Sequence, residues 1–168
     1  MGLLVRGDLE SSWRCRVVQT FNRIGEYSLE ITDKLRVLSA ISVKVAATPS
    51  LGLLVVDYLG LVDPSGQFEN QEVSAISQRL KLLALDFNIP VVASHQLNRA
   101  NENECQRPQL SDLRDSGSLE QDSDTVLLLD SPANRKGSGE VDRNQIDVII
   151  AKQRNGARGG VIPLRMEG

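Results

Sequence analysis

At 168 residues the chain is long enough for one compact domain with a real core and short for two comfortable ones, so a single domain over 1–168 is expected. Hydrophobic residues at 40% and charged residues at 24% are ordinary globular proportions that exclude a collagenous, coiled-coil or disordered chain. Nineteen Lys and Arg against 22 Asp and Glu leave a net charge of −3, which excludes a global basic field, so any polyanion must be bound locally.

From Asp8 to Asn22 the apolar residues Leu9, Trp13, Val17 and Phe21 fall on one stripe of a helix. Tyr27 to Ile31 alternates apolar and polar residues, as a half-buried strand does. Thr32 or Asp33 can cap a next helix carrying Leu35, Leu38, Ile41 and Val45 toward a core, with Thr48-Pro49-Ser50 as its stop. Leu53-Leu54-Val55-Val56-Asp57-Tyr58 is too continuously apolar for a half-exposed strand, which predicts a strand buried on both faces of a parallel sheet. A turn at Asp63-Pro64-Ser65-Gly66 leads to a helix with Val73, Ile76, Leu80, Leu83 and Phe87 on one side, closed by Asn88-Ile89-Pro90.

Val91 to Gln96 is a second strand ending in polar groups, and Thr125 to Asp130 a third with a similar pattern. Polar, turn-rich segments at Asn98 to Arg114 and Ser131 to Asn144 read as exposed loops. Gln145 to Lys152 and Val161 to Met166 are two last strands, joined through Gly156 and Gly159-Gly160 as in an antiparallel hairpin. The fold class is therefore α/β, with a mainly parallel central sheet flanked by helices and a C-terminal antiparallel hairpin. Cys15 and Cys105 form no C-x-x-C pattern, so neither metal binding nor a disulfide framework is expected, and a reducing cytoplasm fits. The opening residues are too short an apolar run for a signal peptide, and no stretch is long enough to span a bilayer.

Three segments end strands in polar groups at the edge where open α/β sheets bind ligands: Asp57, then His95-Gln96 with Asn98 and Arg99, then Lys152-Gln153-Arg154-Asn155-Gly156. A carboxylate for Mg²⁺, a neutral amide and a Lys/Arg pair are the parts that phosphoryl transfer needs. No obvious Ser or Cys nucleophile elbow surrounds His95, which reads as structural. Between Ser111 and Asp122 a glycine stands among small polar residues, followed by a Ser118-Leu-Glu-Gln121 capping box. A loop entering a helix there exposes N–H groups, and Arg114 beside it suits one phosphate of a nucleic-acid backbone.

Taken in order, Leu51 to Leu59, Asn88 to Ala93, Gln96 to Arg99, Arg107-Pro108, Ser111 to Arg114, Ser116 to Asp122 and Lys152 to Gly156 resemble the C-terminal RecA-like motor domain of the DnaB-like replicative DNA helicases. The resemblance covers in effect the whole chain and implies a partial RecA-like fold. It implies ATP and Mg²⁺ as cofactors, with Asp57 as the Walker B acid acting on Mg²⁺ through water and Gln96 as the γ-phosphate sensor. Arg154 would be the arginine finger reaching a neighbouring subunit's nucleotide, with Lys152 on the same phosphates. Arg114, Asp115 and Gly117 would lie on the loop that follows single-stranded DNA. The partners implied are single-stranded DNA, the other subunits of a hexameric ring, the primase and the loader, in the nucleoid-associated cytoplasm and not at a membrane.

Asp115 stands where the family usually has Glu, and Gly60 where it often has Gln. No G-x-x-x-x-G-K-[ST] occurs in the chain. Tyr27-Ser28-Leu29-Glu30 is similar to the family segment bearing the catalytic glutamate, but accepting that match requires a long deletion before Asp57, so Glu30 is read as a strand residue. The expectation is a truncated motor piece with negligible ATPase activity of its own. The alternatives are a non-catalytic RecA-like module that binds DNA or docks on an intact ring, and a recombinase or clock-type ATPase, against which the Arg114 to Asp122 segment argues.

Overall fold

The computed structural model describes residues 11–63, 73–97, 107–134 and 142–167. Outside them lie the expected turn residues Pro64 to Gly66, the polar pair Asn98 and Arg99, Cys105 and the first part of the N-terminal helix, together with the side chains of Trp13, Arg114 and Asp115. The chain divides into two compact units, 1–34 and 35–168.

In the first unit helix α1 runs over Ser11–Gly25 and ends with the Arg23 and Ile24 carbonyls accepting the N–H groups of Glu26 and Tyr27. The apolar stripe expected on this helix is not buried along its length, for Phe21 is 68% exposed. The strand expected at Tyr27 to Ile31 does not form. The segment carries exposed residues and finds no strand partner among the described residues, and alternation without a partner makes no ladder.

The second unit begins its regular structure with α2, Leu38–Ala46, which buries Leu38, Ile41 and Val45. The cap predicted at Thr32 or Asp33 is replaced by a tertiary one. Val37 is extended and forms a parallel bridge with Asp63, whose carbonyl accepts the Leu38 N–H at 3.0 Å while the Asp63 N–H donates to the Arg36 carbonyl at 2.8 Å. A main-chain acceptor fixed by Asp63, itself fully buried, thus satisfies a helix donor that a side chain would otherwise take. Leu35 precedes the helix and packs against the core from outside it.

Strand β1, Leu54–Val56, pairs in parallel with β2, Val91–Ala93, in the register Leu54 to Val91, Val55 to Val92 and Val56 to Ala93. Between them run a short 3-10 turn, Leu59–Leu61, and α3, Val73–Asp86, which turns Ile76, Leu80 and Leu83 inward. Asn88 ends this segment in the left-handed region at φ 51, a conformation asparagine tolerates, and Phe87 falls past the helix and is partly exposed. The core joins α2, Val56, Leu59, Val62, α3 and Leu119.

Burial of β1 on both faces is corrected by the structure. Val56 is buried, but Val55 is 60% exposed and its register partner Val92 is 54% exposed. Helices cover one face only among the described residues, so the apolar run is continuous without being enclosed.

A second 3-10 stretch, Leu110–Ser116, leads directly into α4, Gly117–Asp122. Strand β3, Thr125–Asp130, pairs antiparallel with β4, Gln145–Gln153, and β4 pairs antiparallel with β5, Val161–Arg165. The expected hairpin is therefore present, and β3 joins it as a third antiparallel strand, leaving β1 and β2 as the parallel pair. Gly159 allows the closing turn with φ 86, its N–H donating to the Ile150 carbonyl at 2.8 Å. Leu128 points into the unit while Leu127, Leu129, Ile162 and Leu164 stand exposed. No helix among the described residues is long and apolar enough to cross a membrane.

Candidate nucleotide and nucleic-acid site

Asp57 stands one residue beyond β1, at the carboxyl end of the parallel pair. Because Val56 and Ala93 are level, the next residues, Asp57 and Ser94, leave the sheet side by side. The Ser94 Oγ donates to Asp57 Oδ1 at 2.6 Å, and the Ser94 main chain donates to the Val56 carbonyl and accepts from the Leu59 N–H, both at 3.0 Å. The carboxylate is thus oriented by a hydroxyl yet open to solvent. Hard oxygen donors of this kind suit a magnesium ion that keeps most of its water, so the residues present fit an outer-sphere role. Among the described residues no three or more His, Cys, Asp or Glu side chains gather to hold a metal by themselves.

Gly60 has a local reason. A Cβ there would lie 2.6 Å from Tyr58 Cε2, so the missing side chain leaves space for the tyrosine ring. Gln96 lies beyond β2 and is exposed at the same sheet edge as Asp57. His95 between Ser94 and Gln96 turns inward. Its Nδ1 is buried without a hydrogen-bond partner, and burial lowers its pKa below the ordinary 6.5.

Lys152 and Arg154 sit at the far end of β4 and just past it, and both reach back to the C-terminus of α4. Lys152 Nζ donates to the Glu120 carbonyl and, at 3.4 Å, to that of Gln121, while Arg154 Nη2 donates to the Gln121 carbonyl at 3.2 Å. The last carbonyls of a helix lack intrahelical donors and carry its partial negative charge, so two cations are well placed there. Arg154 Nη1 also pairs with Asp124 Oδ1 at 2.7 Å, and Lys81 from α3 takes Asp124 Oδ2 at 2.5 Å. The Lys81 hydrogen bond, against a smaller desolvation effect and with added attraction from Lys81, Arg154 and Lys152, holds the Asp124 carboxyl below the usual carboxylate range. Neither Lys152 nor Arg154 bonds to Asp57.

Arg114 and Asp115 lie on the 3-10 stretch, and Gly117 opens α4. The capping box expected at Ser118 to Gln121 is found instead at Gln109 and Asp112, where the Gln109 side chain accepts the Asp112 N–H and Asp112 Oδ2 accepts the Gln109 N–H at 2.7 Å. The chain is already helical when it reaches Gly117, at φ −51, so Ser118 meets no free helix start and its buried Oγ has no partner. Arg107 ties the entry of this segment to β4 through Asp147, 3.5 Å from Nη2 to Oδ2, and Asp147 also accepts from Gln145 Nε2 at 2.8 Å.

Sequence reasoning missed Ser94, Lys81, Asp124 and the Arg107–Asp147 pair. Ser94 was findable, because equal register places it beside Asp57. The others join residues far apart in the chain and leave no local pattern.

The parallel pair β1–β2, the antiparallel sheet β3–β4–β5 and the helices beside them make an α/β domain that matches RecA-like helicase domains. The chain matches the model of the DnaB-like helicase C terminal domain over residues 2–167 and belongs to that family. It is similar to the replicative DNA helicase DnaB of Geobacillus stearothermophilus, 46% identical over 66% of this chain and 25% of that protein, and to DnaB of Mycobacterium leprae (strain TN), 40% identical over 84% and 24%. Among solved structures, one described as an ATPase domain superposes with a TM-score of 0.83 at 32% identity, over 96% of this chain and 59% of that one. A DnaB-like replicative helicase described with its interactions with primase gives 0.84 at 31%, over 96% and 41%. The chain spans about a quarter of the length of these curated relatives.

Proposed function

We propose that this chain is a single partial RecA-like piece of a replicative helicase motor, one that couples ATP hydrolysis to movement along single-stranded DNA and to duplex unwinding. The observation that carries the reading is the solvent-open Asp57 carboxylate at the end of β1, held by Ser94 beside the exposed Gln96. Asp57 would hold Mg²⁺ through water, and the ion would neutralise charge on the nucleotide's phosphates. Gln96, at the same edge, senses the terminal phosphate. Lys152 and Arg154 serve the nucleotide of an adjacent subunit in a hexameric ring, where fixed cations stabilise developing negative charge. Arg114, Asp115 and Gly117 line the path of the DNA backbone. Primase and loader are the further partners, and the cytoplasmic nucleoid is the place of action.

With no phosphate-cradling G-x-x-x-x-G-K-[ST] in its sequence, the chain by itself hydrolyses ATP negligibly. Turnover that Asp57→Ala abolishes would show otherwise. The DNA-binding part is tested by anisotropy of a labelled oligothymidylate between about 50 and 200 mM salt. Each phosphate contact contributes a slope of about −0.7 on logarithmic axes, so Arg114→Ala should weaken binding and flatten the slope by about that amount. Binding indifferent to both salt and Arg114 would transfer the reading to a non-catalytic module that docks on a ring.

A further inference from the structure

We infer that Asp124, held by Lys81, is a positioning residue that parks Arg154 and Lys152 on the end of α4, and that a nucleotide's phosphate chain competes with this parking place and so signals to the DNA-facing segment. The inference rests on the proposed reading that these two cations serve a nucleotide.

The side-chain partners of both cations are confined to one small region. They are the carbonyls of Glu120 and Gln121 and the carboxylate of Asp124, whose main-chain carbonyl also accepts the Arg154 N–H at 2.8 Å. The Arg154–Asp124 pair is half open to water, with side-chain exposures of 49% and 57%. An exposed pair of this sort shifts an equilibrium by a factor of about 5 or less, so it is exchangeable. A polyphosphate offers the same two cations several oxygens with full negative charge, a stronger acceptor than a helix carbonyl.

The opposite side of the arrangement is fixed. Ser77 on α3 donates to Asp122 Oδ2 at 2.7 Å, and Lys81, one turn further along α3, holds Asp124 Oδ2. When the cations leave, α4 loses the groups that cap its carbonyls while Ser77–Asp122 remains as a pivot. Helix α4 has six residues, about 9 Å in length, and its first residue is Gly117, directly after the segment of Arg114 and Asp115. A change at its C-terminal carbonyls therefore has one short helix to cross.

The test uses the 168-residue chain and inorganic tripolyphosphate at constant ionic strength, with amide hydrogen exchange read at Glu120 to Ser123 by NMR. Exchange there should rise as tripolyphosphate binds. Asp124→Asn should lower the half-saturating concentration about threefold, and Arg154→Ala with Lys152→Ala should give fast α4 exchange that tripolyphosphate no longer changes. Tripolyphosphate that binds without altering α4, that fails to bind at millimolar concentration, or that gives equal titrations in the parent and Asp124→Asn overturns the inference. An α4 response without DNA binding leaves the switch standing and removes the DNA assignment; Arg114-dependent DNA binding with a silent α4 removes the switch alone.

Discussion

Replacing Gly117 by alanine separates what the fold needs from what a ligand needs. Gly117 has φ −51 and ψ −26, ordinary helical values, and beyond its chain neighbours and its own helix backbone nothing lies within 4 Å of a Cβ built there. Nothing in the local fold therefore calls for glycine. Alanine is about 0.8–1 kcal/mol better than glycine inside a helix, and a Gly→Ala change at a compatible site stabilises by about 0.4–1 kcal/mol through the unfolded chain. At the first position of a short helix the lower value applies, about 0.5 kcal/mol, which raises Tm by about 1–2 °C. If a DNA backbone closes on this position the added methyl group displaces it, and even about 1 kcal/mol of displacement is roughly a fivefold loss of affinity. The expected result is a more stable chain that binds oligothymidylate less well, read by thermal melting and anisotropy on the same preparation. A fall in Tm would refute the geometric argument, and unchanged DNA affinity would refute the placement of Gly117 against DNA.

His95 supplies a pH test because it is the only histidine. Burial lowers its folded pKa below 6.5, so the unfolded chain takes up the proton first. The stability contribution is full above about pH 6.5, falls as pH drops through that value and levels off below the folded pKa. Urea midpoints at about pH 7.5 and 5.5 should differ in that direction, and His95→Gln should shrink the difference; an unaltered difference would place its origin elsewhere. Arg107→Ala removes one partner from Asp147, whose side chain is 4% exposed. With the arginine half open and 3.5 Å away, the cost is about 1 kcal/mol, well below that of breaking a fully buried pair, and Tm falls by about 2–4 °C. Asp147→Asn in the same chain should recover part of the loss, whereas strictly additive effects would mean that the two side chains are not coupled.

The parts of the fold legible in the sequence were those whose cause is local. The run Leu53 to Val56 ending in Asp57 and the glycine-closed hairpin formed close to their expected bounds, because aliphatic continuity and turn residues act within a few positions, whereas the strand expected over Val91 to Gln96 forms only over Val91–Ala93, where its aliphatic residues end. Helix α2 formed too, but its start was misplaced, since its first N–H is satisfied by Asp63, more than 20 residues away. Tyr27 to Ile31 shows the converse: alternation makes a strand only where another strand accepts it. At the site, Asp57 and Gln96 were legible as strand exits. The Lys81–Asp124–Arg154 cluster was not, because its three members come from α3, the turn before β3 and the end of β4, and only tertiary structure brings them together.

The open strand faces also govern how the purified chain behaves as a colloid. Val55 and Val92 form one bare aliphatic surface, and Leu127, Leu129, Ile162 and Leu164 stand uncovered on the antiparallel strands. A net charge of −3 spread over 168 residues supplies little mutual repulsion to oppose their attraction. The osmotic second virial coefficient should then be negative in physiological buffer, and added salt, which screens the remaining repulsion without weakening aliphatic contact, should drive it further down. Dilute, low-salt solutions are accordingly the conditions in which monomer chemistry can be read without self-association mixed into every titration.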